Sequence, residues 1–225
     1  MKKILFISTL LSILSQQAFS QQISSETFNK KMKEMKPKFG LKAGYNIAFI
    51  YGKTPNFSPK AKNGFTVSGF YSPSSNGLGY RTEIIFSRQG FSFADNGKTE
   101  NVTQDYIYMP HLTTFTIAKR VQLQAGGQIS YLLNAKKESS SQSSNEQIAQ
   151  YMNRFDYGAA VGLEIYPFKD LIIGGRYNIS MGNPYKNTSQ TSNGGTAPMP
   201  FPLPVNPADF KGKNAVIQFF LGYRF

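Results

Sequence analysis

The sequence predicts an all-β protein: an eight-stranded antiparallel transmembrane β-barrel, wound as an up-and-down meander. Three observations carry that expectation. Apolar and polar side chains alternate with a period of two through most of the chain, the connections between the alternating segments switch between short and long, and the N-terminus has the layout of an export signal.

The chain opens with Met1, Lys2 and Lys3, a positive stretch, followed by an apolar run over residues 4–14 broken only by Ser8, Thr9 and Ser12. That run is too short to cross a bilayer, which takes roughly 20 apolar residues. Ala18 and Ser20 then set small residues at the two positions a signal peptidase reads, so residues 1–20 are expected to be a signal peptide cleaved after Ser20. Residues 21–38 are polar and basic, with Phe28, Met32 and Met35 at helical spacing. They read as an N-terminal periplasmic leader, either a short helix or a disordered segment. The barrel domain is expected over residues 39–225.

Eight segments carry the strand period: 39–50, 64–72, 78–89, 106–118, 121–135, 155–166, 171–181 and 213–225. The last is the clearest. Ala215, Ile217, Phe219, Leu221, Tyr223 and Phe225 share one face, and Asn214, Gln218, Gly222 and Arg224 the other, with Val216 and Phe220 as exceptions on the polar side. In a barrel the aromatic face meets lipid and the polar face fills the lumen. Twelve residues at about 3.3 Å each, tilted near 45°, rise about 28 Å, enough to cross an apolar band about 25 Å tall.

The connections discriminate better than the strands. Residues 73–77, 119–120 and 167–170 are short turns, whereas 51–63, 90–105, 136–154 and 182–212 read as long and polar. Outer-membrane barrels sort their connections in this way, with short periplasmic turns and long external loops. The longest loop passes from a Ser/Thr/Asn/Gly-rich half into Pro198, Pro200, Pro202, Pro204 and Pro207, a composition that favours extended polyproline geometry.

Composition closes off several alternatives. No later segment is a long uninterrupted apolar run, which excludes a helical membrane protein. There is no cysteine, so neither disulfides nor thiolate metal sites are available. Losing Lys2 and Lys3 leaves 23 basic against 12 acidic residues, a net charge of +11. A basic surface suits nucleic acid or lipid phosphate, and export makes nucleic acid the poorer choice.

Several of these segments resemble a known family. The opening Phe39-Gly40-Leu41-Lys42-Ala43-Gly44-Tyr45-Asn46 resembles the first strand of PorT-like outer-membrane β-barrels, and 78–90, with Glu83 and Phe86-Ser87-Arg88-Gln89-Gly90, resembles their third. Residues 106–110, 123–133 with Gly126 and Tyr131, Gly174-Gly175-Arg176-Tyr177-Asn178 and the closing Leu221-Gly222-Tyr223-Arg224-Phe225 extend the resemblance over most of the mature chain. His111 departs from it, standing where the family usually has an aliphatic residue. The resemblance implies an eight-stranded barrel in a Gram-negative outer membrane. It implies no single function, because members range from secretion- and motility-associated proteins to barrels of unknown role.

The residue inventory offers little for catalysis. Histidine is the usual base for ester or peptide hydrolysis, and the single one, His111, falls in mid-strand, where it reads as a strand residue with a satisfied ring nitrogen. Asp95, Glu100 and Asp105 form a loose acidic group in the second long loop, too spread for a calcium site. No catalytic, cofactor or metal residue is assigned. Parity places Lys42, Arg81, Glu83, Asp156, Glu164, Arg176 and Arg224 on the inner face, and these are expected to form a lumen ionic network, since an eight-stranded barrel is just wide enough for side chains to fill. Phe225 is expected to matter for assembly, because the last strand must close on the first. In the last loop Met199, Phe201, Leu203 and Val205 are candidate partner contacts; the alternative is that they fold back and plug the barrel mouth.

The functional expectation is a non-enzymatic outer-membrane barrel with a structural or secretion-accessory role, or alternatively a surface-binding barrel working through its external loops, notably 182–212. The expected partners are outer-membrane lipid, the barrel assembly machinery and a protein docking at the loops. Lipopolysaccharide phosphates are candidate contacts for Lys53, Lys60, Lys62, Lys136, Lys137, Lys186, Lys211 and Lys213, which otherwise read as a solvated loop surface.

Overall fold

The structure, a computed structural model, describes residues 37–52, 54–55, 57–73, 77–95, 97–139, 145–186, 203–204 and 210–225. The expected signal peptide and all but the last two residues of the expected leader lie outside this set. Pro37 and Lys38 already belong to the first strand.

Eight long strands form the wall: β1 (Pro37–Tyr51), β2 (Lys60–Pro73), β3 (Leu78–Asp95), β4 (Lys98–Ile117), β5 (Val121–Ser139), β7 (Phe155–Ile165), β8 (Leu171–Ser180) and β9 (Lys213–Arg224). A short β6 (Asn145–Gln147) folds back on the end of β5. Each long strand pairs antiparallel with the next, and β9 returns to β1 from Gly40 opposite Arg224 to Tyr51 opposite Lys213. The ring therefore has no free edge, so every long strand has a backbone partner on both sides, which a sheet in hydrocarbon requires.

The alternation decides what each face meets. Leu41, Tyr45, Phe65, Val67, Ile84, Ile129, Val161, Phe219 and Leu221 point outward and are exposed. Lys42, Asn46, Arg81, Glu83, Gln124, Glu164, Arg176 and Gln218 point inward and are buried. This inverts a water-soluble protein. So continuous an apolar exterior would be costly in water and is at home in lipid. Aromatic pairs stand toward both rims of the band, Phe39–Tyr71 (5.3 Å) and Tyr223–Phe225 (5.5 Å) at the end with the short turns, Phe65–Phe86 (5.8 Å) and Tyr131–Phe155 (4.9 Å) toward the other.

Two loop expectations are corrected. Residues 90–105 are not a long loop: β3 runs on to Asp95 and β4 starts at Lys98, leaving a two-residue connection in which Gly97 has φ +77°. Gly97 accepts the positive φ that a tight hairpin needs, and Phe91, Phe93 and Val102 continue the inward apolar alternation. The segment 136–154 likewise begins as strand, with Lys136 and Lys137 of β5 paired to Gln147 and Glu146 of β6 before a single 3₁₀ turn (Ala149–Tyr151). In consequence β3, β4 and β5 are 18 to 20 residues long, against 10 to 12 for β7, β8 and β9. One side of the barrel rises as a tall wall above the other.

Candidate functional site

The inner face sorts by height into three zones: a charged middle, an apolar cap at the loop end, and a basic mouth at the turn end. The middle zone gathers five of the seven charges that parity placed inward. Glu83 on β3 receives a bidentate pair of hydrogen bonds from Arg176 on β8, at 2.9 and 2.8 Å, and a third from Lys42 Nζ at 2.6 Å. Glu164 on β7 accepts from Arg81 Nη1, at 2.6 Å to Oε1 and 2.5 Å to Oε2, and from Lys42 Nζ at 3.1 Å. Because β3 and β8 stand on opposite sides of the ring, the Glu83–Arg176 pair spans the lumen. Lys42 joins the two carboxylates.

Neutral side chains complete the network. Tyr166 donates to Glu164 Oε2 (2.8 Å) and accepts from Arg81 Nη2 (3.0 Å), and Gln124 Oε1 accepts from Arg176 Nη2 (3.0 Å). The rings of Phe70 and Phe220 cover the cations, with Arg81 Cζ 4.3 Å from the Phe70 centroid and Lys42 Nζ 4.5 Å from that of Phe220. A cation over a desolvated aromatic face contributes about 2 kcal/mol. Phe220, the exception on the polar face of the last strand, thus has its reason. Both rings fit because glycines face them: a Cβ on Gly40 would lie 2.4 Å from the Phe70 ring, and one on Gly174 2.5 Å from Phe220.

Asp156 and Arg224 also point inward but stand at the wrong height to join. Asp156, at the loop end of β7, accepts from the backbone N–H of Gly182 (3.0 Å) and of Tyr157 (2.8 Å). Arg224, at the turn end, donates to the carbonyl of Lys169, lies over the Tyr166 ring (4.7 Å) and has Asp170 within 4.0 Å. Parity fixes the face of a residue but not its position along the barrel axis. The partners the sequence reading missed, Tyr166, Gln124 and Gln122, whose Oε1 accepts from Gln124 Nε2 at 3.1 Å, were open to the same parity argument, since Tyr166 lies two residues beyond Glu164 and the two glutamines sit on the inner face of β5.

At the loop end, inward Phe91, Phe93, Val102, Tyr106 and Leu132 form an apolar cluster with Phe57, Met152, Tyr185, Leu203 and Phe210 from the connections. Phe57 lies 5.8 Å from Phe210, which lies 4.8 Å from Tyr185. Burial pushes the Tyr185 phenol well above its ordinary pKa. Leu203 is 5% exposed and packs into this cap, as the fold-back alternative for the last loop has it, because the tall β3–β5 wall offers an apolar surface that water does not. Met199, Phe201 and Val205 lie outside the described residues. His111 faces outward on β4, its Nδ1 2.5 Å from Thr82 Oγ1 on β3. Asp105 pairs with Arg88 at 2.7 Å rather than with Asp95 or Glu100, and no group of three metal-ligating side chains occurs among the described residues. Phe225 donates its backbone N–H to Phe39 O (2.8 Å), adding one more bond to the closing seam.

A closed antiparallel ring with an apolar exterior and a charged, filled interior defines an integral β-barrel of the outer-membrane type. Residues 19–185 match the family model described as outer membrane protein beta-barrel domain, and the chain belongs to that family. It is an outer-membrane protein.

No curated protein matches the chain. Among solved structures it is similar to Ail, the attachment invasion locus protein of Yersinia pestis, at 17% identity and a TM-score of 0.47, covering 85% of this chain and 100% of that one. It is also similar to Neisserial surface protein A (13%, TM-score 0.44, covering 84% and 95%) and to OprG from Pseudomonas aeruginosa (11%, TM-score 0.43, covering 85% and 97%).

Proposed function

We propose that this chain is a non-enzymatic, non-conducting barrel of the PorT-like kind, serving the outer membrane as a structural or secretion-accessory component. The observation that carries the reading is the Glu83–Arg176 pair lying across the lumen and tied through Lys42 to Glu164 and Arg81. A path for ions or solutes would have to part this network, and stranding one member of a buried pair costs about 3 to 5 kcal/mol. The cap of Phe57, Phe210 and Leu203 adds a second obstruction.

Against an enzyme, the lumen carboxylates are taken up by their cations and the one histidine looks toward lipid, away from any cleft that could hold a substrate. The strand motifs beginning at Phe39 and ending at Phe225 favour the PorT-like group within the family. Planar-bilayer recording from the reconstituted protein tests the reading. No stable conductance steps are expected, and long-lived channels at moderate voltage would overturn it.

A second reading, binding of a surface partner, is favoured by the β3–β5 wall, which rises past the short β7–β9 side with Lys98, Lys136 and Lys137 near its top. Under that reading, shortening the hairpin at residues 94–99 abolishes capture of a copurifying outer-membrane protein. Under the structural one, the partners survive the change.

A further inference from the structure

The turn end of the barrel opens into a vestibule of about 640 Å³, below the ionic network. Six cationic side chains line it: Lys38 from β1, Arg81 from β3, Lys119 and Arg120 from the β4–β5 turn, Lys169 from the β7–β8 turn and Arg224 from β9. Among the described residues, no carboxylate lines it. Two acids stand beside it: Glu164 is held by Arg81 and Lys42, and Asp170 lies 4.0 Å from Arg224 Nε, so two of the six cations already face a carboxylate and four do not. Lys38, Lys119, Arg120 and Lys169 make no ion pair among the described residues.

Two further observations point to an anion site. The network above the vestibule holds three cations, Lys42, Arg81 and Arg176, against two carboxylates, Glu83 and Glu164, so the network carries one positive charge in excess. Arg81, 1% exposed and part of the vestibule wall, spends both Nη atoms on Glu164 and Tyr166 while its buried Nε has no hydrogen-bond partner. Arg224 Nε is likewise without one. Buried unsatisfied donors on guanidinium groups are costly, and a low-dielectric cleft lined by one sign of charge concentrates the opposite ion.

We infer that this vestibule binds a phosphate group, presented from the turn side of the membrane. Phosphate offers several acceptor oxygens on one compact, doubly charged centre, which matches guanidinium and ammonium donors converging from five separate elements. The cavity admits a phosphorylated small molecule or one phospholipid headgroup. This inference goes beyond the proposed function and stands apart from it, since a non-conducting barrel and a channel could each hold an anion at one mouth.

The test uses the full barrel in phosphatidylcholine nanodiscs, titrated calorimetrically with inorganic pyrophosphate. Saturable one-to-one binding is expected, weakened about tenfold or more by Lys119→Ala with Arg120→Ala, with each tenfold step equal to 1.4 kcal/mol. Lys169→Ala, on a different turn, should weaken it too and serves where the double variant loses its folded electrophoretic form. Lys136→Ala with Lys186→Ala, at the loop end, should leave binding unchanged. Repeating the titration in discs containing phosphatidic acid separates the sources: suppressed pyrophosphate binding identifies a lipid headgroup as the occupant, and undiminished binding a soluble phosphate compound. Absence of saturable binding to the wild-type barrel, or equal weakening by the loop-end pair, overturns the inference.

Discussion

Glu83 and Glu164 are each held by two cations from other strands, so neither can be removed without leaving buried positive charge behind. Glu83→Ala or Glu164→Ala should therefore destabilise the barrel by about 3 to 5 kcal/mol. The two carboxylates share Lys42, so the double variant should depart from the sum of the singles, as should Glu83→Ala combined with Arg176→Ala. Urea unfolding in detergent measures this, and strict additivity would show that the five side chains do not act as one unit. Gly40 and Gly174 contribute by what they lack, since a methyl group at either would meet the ring that covers the cations.

Among the elements, β9 has the most demanding position, because it closes the ring on β1 while also pairing with β8. Its terminal residue adds a backbone bond to Phe39 and an aromatic contact with Tyr223. Deleting Phe225 should reduce the yield of folded, heat-modifiable protein more than a deletion in the loop at residues 187–202 does; equal yields would remove Phe225 from any assembly role. The long β8–β9 connection has a different part. Replacing residues 196–207 by a Gly/Ser linker takes Leu203 out of the apolar cap, at an expected cost of about 1.5 to 3 kcal/mol, while the ring still assembles. Differential scanning calorimetry of the two forms decides it, and unchanged stability would mean that the cap does not depend on that residue. The β3–β4 hairpin shows how an element can be misread: Thr99, Asn101 and Thr103 look like loop chemistry, yet they alternate with Val102 and Gln104 and face away from the cap.

For the molecule as a whole, the inversion of apolar and polar surface dictates its environment. The outward belt of Leu41, Phe65, Ile84, Ile129, Val161, Phe219 and their neighbours is exposed on the outside of the ring and requires hydrocarbon. The protein should fractionate with outer membranes and stay there through carbonate and high-salt washes, which strip proteins held by charge alone. Recovery in the soluble periplasmic fraction would contradict the barrel. The three zones of the lumen also give the molecule a polarity along its axis, with an apolar cap at one end and a cationic mouth at the other, so the two sides of the membrane meet different chemistry.

The alternation of side chains determined by itself how many long strands cross, which face each residue takes and that the ring must close, because the two-residue period is a local property of extended backbone that lipid makes visible. Lys42, Arg81, Glu83, Glu164 and Arg176 were legible as inward charges for that reason. Only the tertiary structure decided which of them meet. Lys42 and Glu164 are 122 residues apart in the chain and 3.1 Å apart in the barrel, and that distance depends on the register of every strand between them. The same dependence separated Asp156 and Arg224 from the network, turned Phe70 and Phe220 into covers for cations, drew Leu203 into the cap, and pooled lysines and arginines from two turns and three strands at one mouth. Height along the axis comes from the stagger of the closed sheet, and no local pattern in the sequence encodes it.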